Sequence, residues 1–375
     1  MQGDKTNVAF VAQNEKPALP APVTTTGPMG WVMANLFSSP LNVLLTLIAG
    51  FMLVYSLPDL YQWAIAKAVW SASSYDECRS LSPDGACWAV VSERAGQFTY
   101  GFYPEHLRWR PNLAFLLLLV AIAPVLYKLP YRSALLAFTA IYPLIAYLLI
   151  WGGLFGFEFV PSDKMGGFLL TMIIGCTGIS FSLPIGVMLA LGRNSNMIFI
   201  KTICVGFIEF IRGVPLITLL FVASTLLNYF LPKGWDFDLI LRVLIMVTLF
   251  ASAYMAEVIR GGLAALPRGQ YEAADALGLN YFQSMRLIIL PQALKISIPG
   301  IVNTFIGLFK DTTLVSIIGL FDPLGIIQPI LADPNWNGLV VELYVFVAAF
   351  FFIFCFAMSR YSMYLEGKLS TGDHR

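Results

Sequence analysis

Charge is the scarcest commodity in this 375-residue chain: Asp, Glu, Lys and Arg make up 12% of it, against 58% apolar residues. A soluble domain carries about 25% charged residues, so that class is excluded and a polytopic membrane protein is indicated. The net charge of +1 offers no basic face for nucleic acid. With two histidines, His106 and His374, far apart, and five cysteines, no metal-ligating or catalytic cluster is evident. A Gly-x-x-x-x-Gly-Lys-Ser/Thr phosphate loop is missing as well, so any nucleotide-driven work is supplied by another chain.

What the chain has is long apolar runs. A spanning helix needs about 20 mainly apolar residues, and eight runs qualify within a few residues: 40–57, 112–127, 133–152, 166–191, 214–231, 239–257, 293–309 and 338–358. The stretch 311–331 is apolar but broken by Asp322-Pro323, Gly325 and Pro329, and is expected to be a re-entrant or external half-helix covered by protein. With the N-terminus in the cytoplasm, most of the 23 Lys and Arg fall inside, among them Lys128, Arg193, Arg212, Arg260, Arg268, Arg286 and Arg360. The positive-inside rule therefore puts both termini in the cytoplasm.

Three regions follow. Residues 1–39, with Pro17, Pro20, Pro22, Pro28 and a Thr24-Thr25-Thr26 run, are expected to be a disordered cytoplasmic tail. They show no basic start with a short apolar core and cleavage site, so the first span is expected to remain uncleaved. Residues 40–153 carry three spans and an external loop, 59–111. Residues 162–375 carry five spans. Cys78 and Cys87 lie in the external loop, where an oxidising setting makes a disulfide and two free thiols both open. Cys176, Cys204 and Cys355 sit in apolar helices as packing residues.

Between the sixth and seventh runs lies a polar island, 259–292, that carries the sharpest pattern. It reads Glu272-Ala273-Ala274, three residues, Gly278, nine residues, Ile288, one residue, Leu290-Pro291. Pro267 and Gly269 end the preceding helix, 270–277 has helix-forming composition, and Gly278 suits a left-handed C-terminal position. Asn280 can cap the next helix. Ala273, Ala274 and Leu277 fall on one apolar stripe with Glu272 and Asp275 turned elsewhere, and the small side chains permit close approach of a partner. The plainer alternative is an amphipathic loop helix packing on its own protein.

The pattern resembles the EAA loop of ABC-importer permeases, a short cytoplasmic helix that docks on an ATPase and couples its movement to the pore. The resemblance implies an ATPase-coupling role for Glu272, Ala273, Ala274, Gly278, Ile288, Leu290 and Pro291. Two further stretches, 207–216 with Glu209 and Arg212 and 308–316 with Asp311 and Thr312, resemble permeases of the polar amino-acid uptake family, as does the run from Glu257 and Arg260 into Gly261-Gly262. Charges at membrane depth are costly and face a cavity or a partner. Glu209, Arg212, Tyr254, Glu257, Asp311 and Thr312 are accordingly the candidates for a substrate path. Against this stand structural roles: intrahelical pairs Glu209–Arg212 and Glu257–Arg260 at i, i+3 spacing, and Asp311 and Thr312 capping the half-helix.

The resemblance covers residues 162–370. It implies an all-α polytopic membrane protein with a five-helix type I ABC-importer permease core, preceded by three additional transmembrane helices. That extension is similar to the M-type permeases of general L-amino-acid transporters. The implied function is import of L-amino acids, chiefly polar ones of broad range, from the periplasm across a bacterial inner membrane. The implied partners are an ABC ATPase, a periplasmic amino-acid-binding protein, membrane lipid and a second permease, expected to be a different chain with a copy of this one as the alternative. No cofactor is expected on this chain, ATP being used by the ATPase. A secondary transporter or channel without an ATPase is the rival, weakened because Glu209 and Glu257 sit near span ends. A membrane enzyme would need a catalytic cluster, and none is found.

Overall fold

The computed structural model describes residues 27–127, 130–230, 232 and 237–370, and the regular elements among them are helices. The chain divides into two compact units, one of residues up to 68 with 84–86, the other of 69–83 with 87–375.

In the first unit, α1 (Gly27–Asn35) leads to α2 (Pro40–Tyr61). Ser39 caps α2 by accepting the Asn42 amide at 3.2 Å, and Pro40 occupies a first-turn position where its missing N–H costs nothing. None of α2 is buried, as befits a helix that is apolar all round and meets lipid on its sides. The sequence-expected tail 1–39 thus becomes helical from Gly27; its first 26 residues lie outside the described residues.

The second unit opens with three short helices, α3 (Tyr75–Leu81), α4 (Ala89–Glu93) and α5 (Ala95–Tyr100). Cys78 and Cys87 are joined in a disulfide with Cα atoms 5.8 Å apart, so of the two open alternatives the structure has the bonded one. There follow α6 (Trp109–Leu126), α7 (Arg132–Trp151), α8 (Gly167–Arg193), α9 (Ile198–Gly213), α10 (Leu216–Thr225) and α11 (Leu239–Ala264). The chain ends with α12 (Arg268–Ala276), α13 (Tyr281–Ser284), α14 (Leu290–Asp311), α15 (Ile327–Leu331) and α16 (Val340–Ser370). Among the described residues six helical stretches are long and apolar enough to cross a membrane, or eight if each of two bent pairs counts as one span.

One expected span differs. The run 214–231 does not form a straight helix: α9 and α10 meet at an angle of 102° around Gly213-Val214-Pro215. Pro215 lacks the amide that would continue the ladder and forces its predecessor out of helical geometry, and Val214 is indeed extended at φ −112°, ψ 132°. The expected straight span is replaced by a bent pair, α9 followed by the ten-residue α10.

The stretch 311–331 also departs from expectation. Its first part, Thr312–Ile318, is a 3-10 helix that prolongs α14, and Gly319 stops it in the left-handed region. Asp311 makes no side-chain cap, and the Thr312 hydroxyl donates back to Phe309 O at 2.8 Å. Neither residue caps a half-helix. Only α15, five residues long, is separately helical in the remainder.

The central pair of the second unit is α8 and α11, with α14 against α11 and α16 against α14. The α11–α14 crossing is close because Gly262 has no side chain: a Cβ there would meet Ala293 O at 2.5 Å. Ser297 on α14 seals the contact by donating to Val258 O at 3.2 Å.

Candidate functional site

At one end of the bundle the polar island forms a compact helix-turn-helix. Leu277 closes α12, and Gly278 takes φ +69°, the left-handed position anticipated for it. The Gly278 amide donates to Asp275 O at 2.9 Å and the Leu279 amide to Ala274 O at 3.2 Å, the paired bonds of a Schellman ending. Asn280 and Gln283 then make a reciprocal capping box at the start of α13. A π-helical turn, Met285–Ile289, runs from α13 into α14. Every expected local device of this segment is present.

Side-chain directions refine the pattern. Ala274 is fully buried, while Tyr271 on the same helix and Ile288 pack half-buried against the apolar cluster that holds Leu263, Ile289 and Ala293. Ala273 and Leu277 point outward with Glu272. The expected single stripe Ala273-Ala274-Leu277 is therefore split, because neighbours on a helix stand about 100° apart and only Ala274 faces inward. Leu277, Tyr281, Phe282 and Leu287 are each more than 60% exposed, a row of large apolar side chains beyond what a solvated loop needs. Pro291 is exposed and Leu290 half-buried at the start of α14.

Two polar contacts tie this helix pair to the spans. Gln292 Nε2 on α14 donates to Gln270 Oε1 on α12 and to Ile288 O, both at 2.9 Å. The Tyr271 hydroxyl donates to Leu263 O of α11 at 3.4 Å, and burial pushes that hydroxyl above its ordinary pKa. Sequence reasoning did not single out Gln270 or Gln292; their spacing of 22 residues across two helices leaves no local signal.

Further along α11, charges from three helices converge. Arg193 Nη1, at the end of α8, meets Glu257 at 2.7 Å and Glu209 at 2.9 Å. Arg212 on α9 lies 3.5 Å from Glu257, and Arg260 lies 3.0 Å from it. The Arg212 guanidinium also sits over the Tyr254 ring at 5.6 Å. The intrahelical pair Glu257–Arg260 is present as expected. The pair Glu209–Arg212 is not: each turns to another helix, Glu209 to Arg193 and Arg212 to Glu257, because α8 and α11 bring better-placed partners. Glu257 is the hub, with a side chain 16% exposed, where its pairs are screened less than on the open surface.

Thus the structure brings together Glu209, Arg212, Tyr254 and Glu257, adds Arg193 and Arg260, and leaves out Asp311 and Thr312. Ser297 marks the level of Val258 on α14, and Asp311 is fourteen residues beyond it, roughly 20 Å along the helix. Polar residues within the spans mostly satisfy themselves: Ser182, Ser224 and Ser252 donate to carbonyls three or four residues back. Among the described residues no group of His, Cys, Asp and Glu could hold a metal ion.

The sequence pattern of binding-protein-dependent transport system inner membrane components matches residues 182–370, the stretch containing both the charge cluster and the helix-turn-helix. Over 98% of its length the chain is 49% identical to the whole of the glutamate/glutamine/aspartate/asparagine transport system permease protein BztC of Rhodobacter capsulatus. The chain belongs to this family. The permease is also 50% identical, over 95% of its own length and 97% of the other's, to the inner membrane amino-acid ABC transporter permease protein YhdY of Escherichia coli K12. A crystal structure of an amino acid ABC transporter with histidines matches 53% of the permease and 91% of the other chain at 30% identity, with a TM-score of 0.48.

Proposed function

We propose that this permease subunit imports L-amino acids, with acidic amino acids and their amides foremost among a broad polar range, and that the helix pair 268–284 is its ATPase-docking element. The cargo reading draws on the relatives, one of which is named for glutamate, glutamine, aspartate and asparagine and the other for amino acids. The observation that carries the coupling role is the helix-turn-helix with Ala274 buried and Leu277, Phe282 and Leu287 facing out. An apolar ridge held at fixed angle by a Schellman turn and a capping box suits insertion into a groove on a partner. Glu272, Ala273 and Gly278 flank that ridge, while Ile288 leads into α14 and Leu290 and Pro291 open it.

The permease is the pore component, and ATP hydrolysis comes from a separate ATPase. A periplasmic binding protein delivers the amino acid to the face opposite the docking element, and a second permease completes the pore, as a heterodimer in our reading. The lean of Lys and Arg toward the docking side supports a cytoplasmic position for it and for both termini. Residues 1–39 are then the tail, 40–153 the extension and 162–375 the core. Glu209, Arg212, Tyr254 and Glu257 line the substrate path at its cytoplasmic end. Asp311 and Thr312 lie near its periplasmic end.

The test is ATP-dependent uptake of labelled amino acids by the full complex in vesicles, comparing wild type with Gly278→Asp. Position 278 needs a left-handed backbone, which a side chain destabilises by about 1 kcal/mol, and the new carboxylate enters the docking surface. Uptake and binding-protein-stimulated ATP hydrolysis should both fall at least about tenfold with the permease still in the membrane. Uptake proceeding without ATP would instead establish a secondary transporter.

A further inference from the structure

We infer that residues 69–83 and 87–111 are a positioning brace for the periplasmic lip of the core, with Glu342 as its joint; this rests on the importer reading above. The helices α8 and α16 both have ends at this lip, and the segment grips each of them.

At α8 the grip is close packing. Gly167, at φ +59°, lies so near Phe98 O that no side chain would fit. Phe98 meets Phe346 of α16 edge-on at 4.9 Å, and Phe102 meets Phe321 at 5.5 Å. At α16 the grip is polar. Glu342, in the first turn and 3% exposed, accepts from Arg79 Nη2 at 3.3 Å and from the Cys87 amide at 3.4 Å. Arg79 lies on α3, which carries Cys78, so the disulfide to Cys87 covalently links both donors. Beside them Arg94 pairs with Asp333, and the Tyr75 amide donates to Asn335 O at 2.7 Å.

The decisive feature is where Glu342 finds its partners. A buried carboxylate without donors is heavily penalised, and Glu342 accepts from residues 79 and 87, which are 263 and 255 residues away in sequence. The core's last span therefore starts correctly only with the external loop in place. What that start holds is the connection 319–339 between α14 and α16, which in the importer reading lies on the side where solute is delivered. A brace acting there alters how the delivering protein engages and leaves the ATPase end untouched. Glu342 is a positioning residue.

The full complex in vesicles, with its ATPase and amino-acid-binding protein, gives the test. Measured are ATP hydrolysis without binding protein, its maximal stimulation, and the concentration of loaded binding protein giving half of it. Glu342→Gln should raise that concentration roughly five- to tenfold, with basal and maximal rates within about twofold of wild type. Glu342→Asp should recover part of the loss. Arg79→Gln should act similarly, and the double variant no worse than the stronger single one, since both act at one joint. If Glu342→Gln fails to assemble, Arg79→Gln carries the test, its side chain being 30% exposed. An unchanged half-saturating concentration would overturn the brace, as would basal and maximal rates falling together by the same factor. A wild-type complex that binding protein does not stimulate would overturn the importer reading itself, and the brace with it.

Discussion

Asp322 shows how much one residue's surroundings can change its chemistry. It is fully buried in the connection after α14, its Oδ1 accepts the Gly325 amide at 2.8 Å, and its Oδ2 has no hydrogen-bond partner among the described residues. Burial is the leading cause that pushes its pKa up to about 7, against a lowering pull from backbone amides. A carboxyl whose folded pKa exceeds its unfolded value of 3.8 stabilises the fold fully below that value, and the contribution is lost as pH rises through about 7. The 319–326 turn should therefore be better protected at pH 5 than at pH 8. Hydrogen exchange at the Gly325 amide, corrected for intrinsic rates, measures this, and Asp322→Asn should remove the difference. Equal protection at both pH values in wild type would show that Asp322 stays ionised. Glu77 is the contrast: fully exposed, it is held below the usual carboxylate range by the Ser73 hydroxyl and amide, at 2.6 and 2.7 Å.

At the scale of elements, Glu257 is the pin through α8, α9 and α11. Replacing it with Gln removes the negative charge shared by Arg193, Arg212 and Arg260 and leaves three guanidinium groups facing one another. The cost should be roughly 1–3 kcal/mol, less than for a fully dry pair because the site is partly open. Thermal unfolding of the purified permease in detergent should show a lower midpoint for Glu257→Gln, while Glu209→Gln, whose side chain is 54% exposed, should shift it little. An equal loss in the two variants would remove Glu257 from its hub. The sequence alone suggested ion pairs at i, i+3 for both carboxylates, and one of the two was right. Spacing along a helix is legible in sequence, whereas the competition from Arg193 depends on how α8 and α11 cross.

On the scale of the whole molecule, the proposed orientation puts α4 and the docking helix α12 on opposite sides of the membrane. A cysteine introduced at Ser92, exposed on α4, should react with a membrane-impermeant maleimide added to intact cells after the outer membrane is opened. One introduced at Leu277 should react only after lysis, each judged above the background of the native cysteines. Labelling of Leu277→Cys in intact cells would invert the topology and sever the coupling argument.

Much of this architecture was written in the chain itself. The scarcity of charge and the apolar runs determined a helical membrane protein, and the Glu-Ala-Ala, Gly278 and Leu-Pro spacing marked out the segment we propose for docking. The Schellman glycine and the capping box could be named beforehand because caps act within a few residues. Only the tertiary structure decided that Ala274 turns inward while Ala273 faces out and that Gln270 meets Gln292. It likewise decided that a loop from the extension supplies the donors for Glu342. Each of these depends on groups brought together by packing from far apart along the chain, and selection among such partners is an energetic outcome of the assembled bundle that no local spacing encodes.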